Sequence, residues 1–157
     1  MPQDTDQRTL PDQARRVKAT LACMSLLRVL HEAVRLYDGD LEGFTIYMAI
    51  ACASVAGAMR DPEIAFSTRN GPPLESHFRP VSRRAIAAST GLPRETVRRK
   101  IALMVERGHL VEERRGVRTR PGVLQERRNS EFTDLLIREV QRSSAELVRA
   151  ERMFDGV

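Results

Sequence analysis

Arg94, Arg98, Arg99 and Lys100 place four cations within seven residues, directly after Gly91 and Pro93, in the stretch "STGLPRETVRRKI" at 89–101. Glycine ends a helix readily, and proline is tolerated in the first turn of the next, where its missing N–H costs nothing. The stretch therefore reads as one helix stopping and a second starting at once, with arginine loaded onto the restart. Glu95 and Thr96 share its first turn. A guanidinium on an exposed helix can grip phosphate, or pair side by side with the two acceptors of guanine in the major groove of DNA. A second set, Arg114, Arg115, Arg118 and Arg120, surrounds Gly116 in "HLVEERRGVRTRPG". Two short strands around a tight turn fit that pattern, and the arginines would reach phosphates or a neighbouring minor groove. Arg83 and Arg84 open the preceding helix, where they would clamp a phosphate.

The charge is clustered. Residues 79–128 hold 14 Arg or Lys against 5 Asp or Glu, a net +9, which leaves −4 for the remainder of a chain whose total is +5. A basic segment in an otherwise acidic chain is the electrostatic footprint of a nucleic-acid binder. Of the 26 basic residues 24 are arginine, which codon bias alone could produce, but codon bias does not explain the clustering.

Elements must hold these side chains in place. With 157 residues, 41% apolar and only 4% aromatic, the chain supplies a core of Leu, Ile, Val, Met and Ala, a composition that suits packed helices. The fold class expected is mainly α with a small β hairpin. Residues 1–11 read as a disordered arm and 12–59 as two N-terminal helices that build the core and a dimer contact. The first carries Cys23, Leu26, Leu27, Leu30, Ala33, Val34 and Tyr37 at three-and-four spacing and stops at "DGD", 38–40. The second, about Leu41 to Met59, is nearly all apolar, so other helices should surround it; as a membrane span it falls about one residue short. Residues 60–79 form a long connection with repeated prolines. In the segment 80–123, Ser82 caps a short helix with Ile86 and Ala87 inward, Gly91 ends it and Leu92 plugs the turn. The restarted helix turns Val97, Ile101, Met104 and Val105 inward and stops at Gly108. The last helix, 130–154, repeats Leu136, Val140, Ser143, Leu147, Ala150 and Phe154 at alternating four-three spacing, a helix-pairing seam. Neither this seam nor the Cys23–Tyr37 stripe can be buried by one small domain, so a homodimer through the terminal helices is expected.

A helix, a glycine turn, a second helix and a basic hairpin in that order make a helix-turn-helix with a wing. Residues 80–122, "PVSRRAIAASTGLPRETVRRKIALMVERGHLVEERRGVRTRPG", resemble the winged helix-turn-helix of bacterial transcription regulators. Arg94, a spacer, Thr96, Val97 and Arg98, then Leu103, Gly108 and Leu110, are most similar to the GntR type; IclR-type proteins have a similar string. The GntR resemblance implies that Arg94, Thr96 and Arg98 lie on the recognition helix and contact DNA. The chain departs from that family after the wing, where about 35 residues and one helix stand in place of a large effector domain. Its layout of N-terminal helices, winged domain and C-terminal helix is more similar to MarR-type regulators, which dimerise through their terminal helices. The resemblance thus implies a cytoplasmic, dimeric, double-stranded-DNA-binding regulator, with a small-molecule effector as a possible further partner.

Other chemistry finds little footing. Cys23 and Cys52 have no CxxC spacing and sit in apolar stretches, where cysteine behaves as a small hydrophobe; redox sensing is the alternative. His31, His77 and His109 share no ligand spacing, so no metal is expected; no cofactor is implied. His77 and Phe78 could line a pocket, but a surface loop fits them better. Phosphate loop, nucleophile elbow and paired carboxylates are all missing from the sequence, so an enzyme is not expected. No signal peptide is read in the polar first residues. Rival readings are a winged-helix adaptor that binds a protein partner, and a DNA-binding replication or partition factor.

Overall fold

The computed structural model describes residues 10–63, 77–123 and 126–155. The expected arm lies mostly outside them, as does most of the long connection. Helix α1 spans Leu10–Leu36, so the last two residues assigned to the arm are helical. Helix α2 follows at Leu41–Val55, with a 3-10 turn at Ala58–Arg60. Helices α3 (Arg83–Thr90) and α4 (Arg94–Glu106) lead into strands β1 (Leu110–Glu113) and β2 (Gly116–Thr119), and α5 runs Arg127–Asp155. Among the described residues the chain is mainly helical with one small two-stranded antiparallel hairpin, the first expected from composition and the second from the pattern around Gly116. No described helix is long and apolar enough to cross a membrane.

Two compact units divide the chain: Tyr37–Ser130, and Met1–Leu36 together with Glu131–Val157. In the first, Ile46, Ile50, Ile86, Val97, Ile101, Leu110, Val117 and Val123 form one buried cluster, with Tyr47 beside them. Helix α2 packs against α3, α4 and β2. It does so with one face, Gly43, Ile46, Tyr47, Ile50 and Ser54, while Leu41, Thr45, Cys52 and Ala53 are exposed. The helix is therefore not surrounded on all sides, as its apolar run suggests, and it ends at Val55 before Gly57 rather than at Met59. Asp40 caps it by accepting from the Gly43 amide at 2.9 Å.

Local signals in residues 80–123 behave as their chemistry demands. Ser82 caps α3, its hydroxyl accepting from the Ala85 amide at 3.2 Å. Gly91 at φ +70 closes α3 in the left-handed conformation that glycine adopts freely, its amide bonded to the Ala87 carbonyl. Leu92 packs on the core, and Pro93 is the residue just before α4 rather than its first turn. Arg114 and Arg115 form the two-residue hairpin turn between Glu113 and its partner Gly116. A bridge between Val81 and Val117, made by amide–carbonyl bonds of 2.8 and 2.9 Å, ties the hairpin to the chain entering α3. Gly116, at φ +146, makes that approach possible: a Cβ there would lie 2.2 Å from the Val81 carbonyl oxygen.

The second unit joins α1 and α5 antiparallel, with Lys18 paired to Glu151 at 3.0 Å and Arg28 to Glu139 at 2.7 Å. Most of the four-three seam shares the Glu139 side of α5. Leu136, Ser143, Leu147 and Phe154 are half-buried and Ala150 is buried, so the chain's own α1 occupies the side expected to meet a second copy. Val140 departs from this pattern at 60% exposed, and Ile137 and Val148 are exposed with it. On α1, only Ala33 of the apolar stripe is buried; Leu26 and Leu27 are 58% and 64% exposed. Cys23 and Cys52 are exposed thiols, not the buried hydrophobes that their surroundings suggest, because each lies on the side its helix leaves uncovered.

Candidate nucleic-acid interface

Helix α4 sorts its side chains by the 3.6-residue turn. Val97 and Ile101 are fully buried, and Met104 and Val105 pack on the core. This seats the helix and leaves Glu95, Arg98, Arg99 and Ala102 exposed away from the core, with Arg94 exposed as the first residue of the helix. Thr96 is half-buried at the boundary. No side chain caps the helix, because Pro93 stands at the cap position, so the first backbone amides have no side-chain acceptor from the cap.

The arginines divide into two groups. Arg84, Arg94, Arg99, Arg114 and Arg115 are exposed, and their side chains make no hydrogen bond or ion pair among the described residues. Arg83, Arg98, Arg118 and Arg120 have partners. Arg98 lies one turn from Arg94 and grips Glu95 with both edges of its fork, Nε to Oε2 at 2.8 Å and Nη2 to Oε1 at 2.6 Å. That hydrogen bond, with the charges of Arg98 and Arg99, holds the Glu95 carboxyl below its ordinary pKa, and Glu95 in turn raises that of Arg98. Arg83, expected on phosphate, pairs with Glu112 at 2.8 Å and so links α3 to β1. Arg118 pairs diagonally across the hairpin with Glu113. Arg120 is half-buried. Its Nε donates to the carbonyl of Gly108, in the turn after α4, at 2.7 Å, and its Nη2 donates to Glu126, just before α5. Arg120 is a brace for the hairpin in this structure, not a free cation on the flank.

Lys100, one of the opening four cations, leaves the outer face altogether. Its ammonium donates to Asp40 Oδ1 at 2.6 Å, with Glu42 at 4.0 Å, joining α4 to the cap of α2. Partial burial pushes the Asp40 carboxyl up, but the Lys100 hydrogen bond, the Gly43 amide and the nearby cations outweigh it, and the pKa lies below its ordinary 3.8. Sixty residues separate this pair, so no spacing rule could reveal it. The Glu95–Arg98 bond, at three residues, was open to the i,i+3 rule.

What these elements leave outward is a set of unpaired guanidinium groups on α4, at the start of α3 and at the hairpin tip, all carried by elements with buried anchors. Guanidinium groups of this kind can bind polyanions through phosphate oxygens, and a helix such as α4 has the width to enter a major groove. The chain matches no protein-family model, no curated protein and no solved structure.

Proposed function

We propose that the chain binds double-stranded DNA sequence-specifically, as a homodimeric transcription regulator, with residues 80–123 acting as a winged helix-turn-helix. One observation carries the reading: Arg94, Arg98 and Arg99 are exposed on α4, the side chains of Arg94 and Arg99 without a partner among the described residues, on a helix anchored by the buried Val97 and Ile101. Solvated arginines on a surface are common, but here the same helix also presents uncapped amides at its start, where a phosphate oxygen is stabilised. In the complex, Arg94 and Arg98 read base edges, and Arg84, Arg99 and the tip residues Arg114 and Arg115 hold phosphates. Glu95 keeps the Arg98 fork extended, leaving its outer N–H groups for guanine. Arg83, Arg118 and Arg120 act by bracing the hairpin.

Dimerisation is part of the same proposal. The outward sides of α1 and α5 carry Met24, Leu26, Leu27, Ile137, Val140 and Val148, all exposed in the single chain. A two-fold interface would cover them and present two α4 helices to half-sites about one helical turn, roughly 10 bp, or a multiple apart. Selection of bound duplexes from random DNA tests the reading. It should return an inverted repeat, and affinity for it should fall steeply with salt as phosphate contacts release counterions. Recovery of no consensus, with salt-independent or absent duplex binding, would overturn it in favour of a protein-binding winged domain.

A further inference from the structure

A cavity of about 290 Å³ opens on the side of α4 away from Arg94 and Glu95, lined only by residues of the Tyr37–Ser130 unit. Leu103, Met104 and Arg107 reach it from α4 and its end, Tyr47 from α2, and Tyr37 and Asp38 from the turn between α1 and α2. The aromatic part is preset: the Tyr37 ring meets Phe44 edge-on at 5.1 Å and lies 6.4 Å from Tyr47. One pair of charges in the wall is closed, since Asp40 takes Lys100 and the Gly43 amide on the same oxygen.

A second pair is open. Asp38 and Arg107 both line the cavity and both are exposed, yet neither side chain has a hydrogen bond or ion pair among the described residues, so they do not pair with each other. The backbone fixes Asp38, at φ +52, within a turn closed by the Asp40 amide on the Tyr37 carbonyl at 2.8 Å. Arg107 is fixed as the residue ending α4. Unpaired opposite charges in the wall of a partly apolar hollow match a small molecule that carries both charges and an apolar group. The volume is about ten waters' share of liquid, which suits roughly ten to twelve non-hydrogen atoms.

We propose that this cavity binds a free α-amino acid with an aromatic or large apolar side chain. Its ammonium meets Asp38, its carboxylate meets Arg107, and its side chain lies against Tyr37, Leu103 and Met104. Because those last two side chains and Arg107 belong to α4 or its cap, the ligand also touches the helix that carries the outward arginines. Any effect on DNA rests on the proposed function, but binding in the cavity does not.

Calorimetry on the full chain, with each of the twenty amino acids and no DNA, tests the proposal. Phenylalanine, leucine or methionine should bind with a dissociation constant of about 1 mM or tighter. Asp38→Asn and Arg107→Gln should each weaken binding about tenfold or more, the worth of one charge-assisted hydrogen bond. N-acetylphenylalanine and phenylalanine amide, each lacking one charge, should lose as much. Both substitutions alter exposed side chains, and asparagine tolerates a positive φ, so melting curves that match the parent separate lost binding from lost fold. No heat from any amino acid, or equal binding of the N-acetyl derivative, would overturn the proposal. Neither outcome depends on whether the chain binds duplex DNA.

Discussion

The two units of the chain use apolar residues in opposite ways. Within Tyr37–Ser130, isoleucine and valine from α2, α3, α4 and the hairpin close on one another, with Ile46, Ile50, Val97, Ile101 and Val117 at 0% exposure. In the unit of α1 and α5, Leu27, Val140 and Met153 are 60–68% exposed, and among its described residues the buried apolar side chains are Ala33, Phe132 and Ala150. A pair of antiparallel helices has one mutual face, and a second amphipathic side on each must find another partner or remain wet. The first unit is therefore built to be stable as a single copy and to hold α4 rigidly. The second leaves most of its apolar surface for a partner to cover.

That contrast yields expectations ordered by size. Ile50→Asp would bury an unpaired carboxylate in the closed core and should cost about 4 kcal/mol, enough to unfold the Tyr37–Ser130 unit in a thermal melt. An unchanged melting temperature would mean that this core is not closed. Gly116→Ala should cost about 3 kcal/mol, since its Cβ would strike the Val81 backbone and its φ of +146 suits glycine alone. Amide exchange should show the loss first in β1 and β2. Asp40→Ala removes a helix cap together with the Lys100 pair and should cost about 1–2 kcal/mol. Its pH dependence follows from the lowered carboxyl pKa. The stability it contributes is fully present above the ordinary value of 3.8 and is lost as pH falls through the lower folded-state value, so parent and Asp40→Ala melts should converge only at acidic pH. By contrast, Val140→Glu or Leu27→Glu should change the stability of the first unit by less than about 0.5 kcal/mol. Either should nevertheless halve the mass measured by light scattering. A monodisperse monomer from the unmodified chain at micromolar concentration would contradict the account of the second unit.

The same contrast marks what could be read from the sequence. Features set by neighbouring residues were legible: the Ser82 cap, the glycine stops at 91 and 108, the inward face of α4, and the hairpin around Gly116. Each follows from a local hydrogen bond, a required φ or a helical period. What depends on distant parts of the chain was not. Arg83 and Arg120 read as cations for a ligand, but Glu112 and the Gly108 carbonyl claim them inside the domain, and Lys100, counted in the same basic cluster, turns to Asp40. Periodicity found the Leu136–Phe154 seam and could not say whether α1 or a second copy lies against it. Apolar neighbours suggested buried cysteines, although one-sided packing of α1 and α2 leaves both thiols exposed.

Titration of labelled duplexes with the parent chain, Arg94→Ala, Arg98→Ala and Arg118→Ala, on selected and scrambled sites at two salt concentrations, addresses the central claim most directly. The account predicts that Arg94→Ala or Arg98→Ala weakens the selected site by about 1–3 kcal/mol and the scrambled site far less. Arg118→Ala, which loses a brace rather than a base reader, should weaken both alike. If Arg94→Ala and Arg98→Ala each bind the selected site as tightly as the parent, the outer face of α4 is not the reader, and the DNA-recognition account is contradicted.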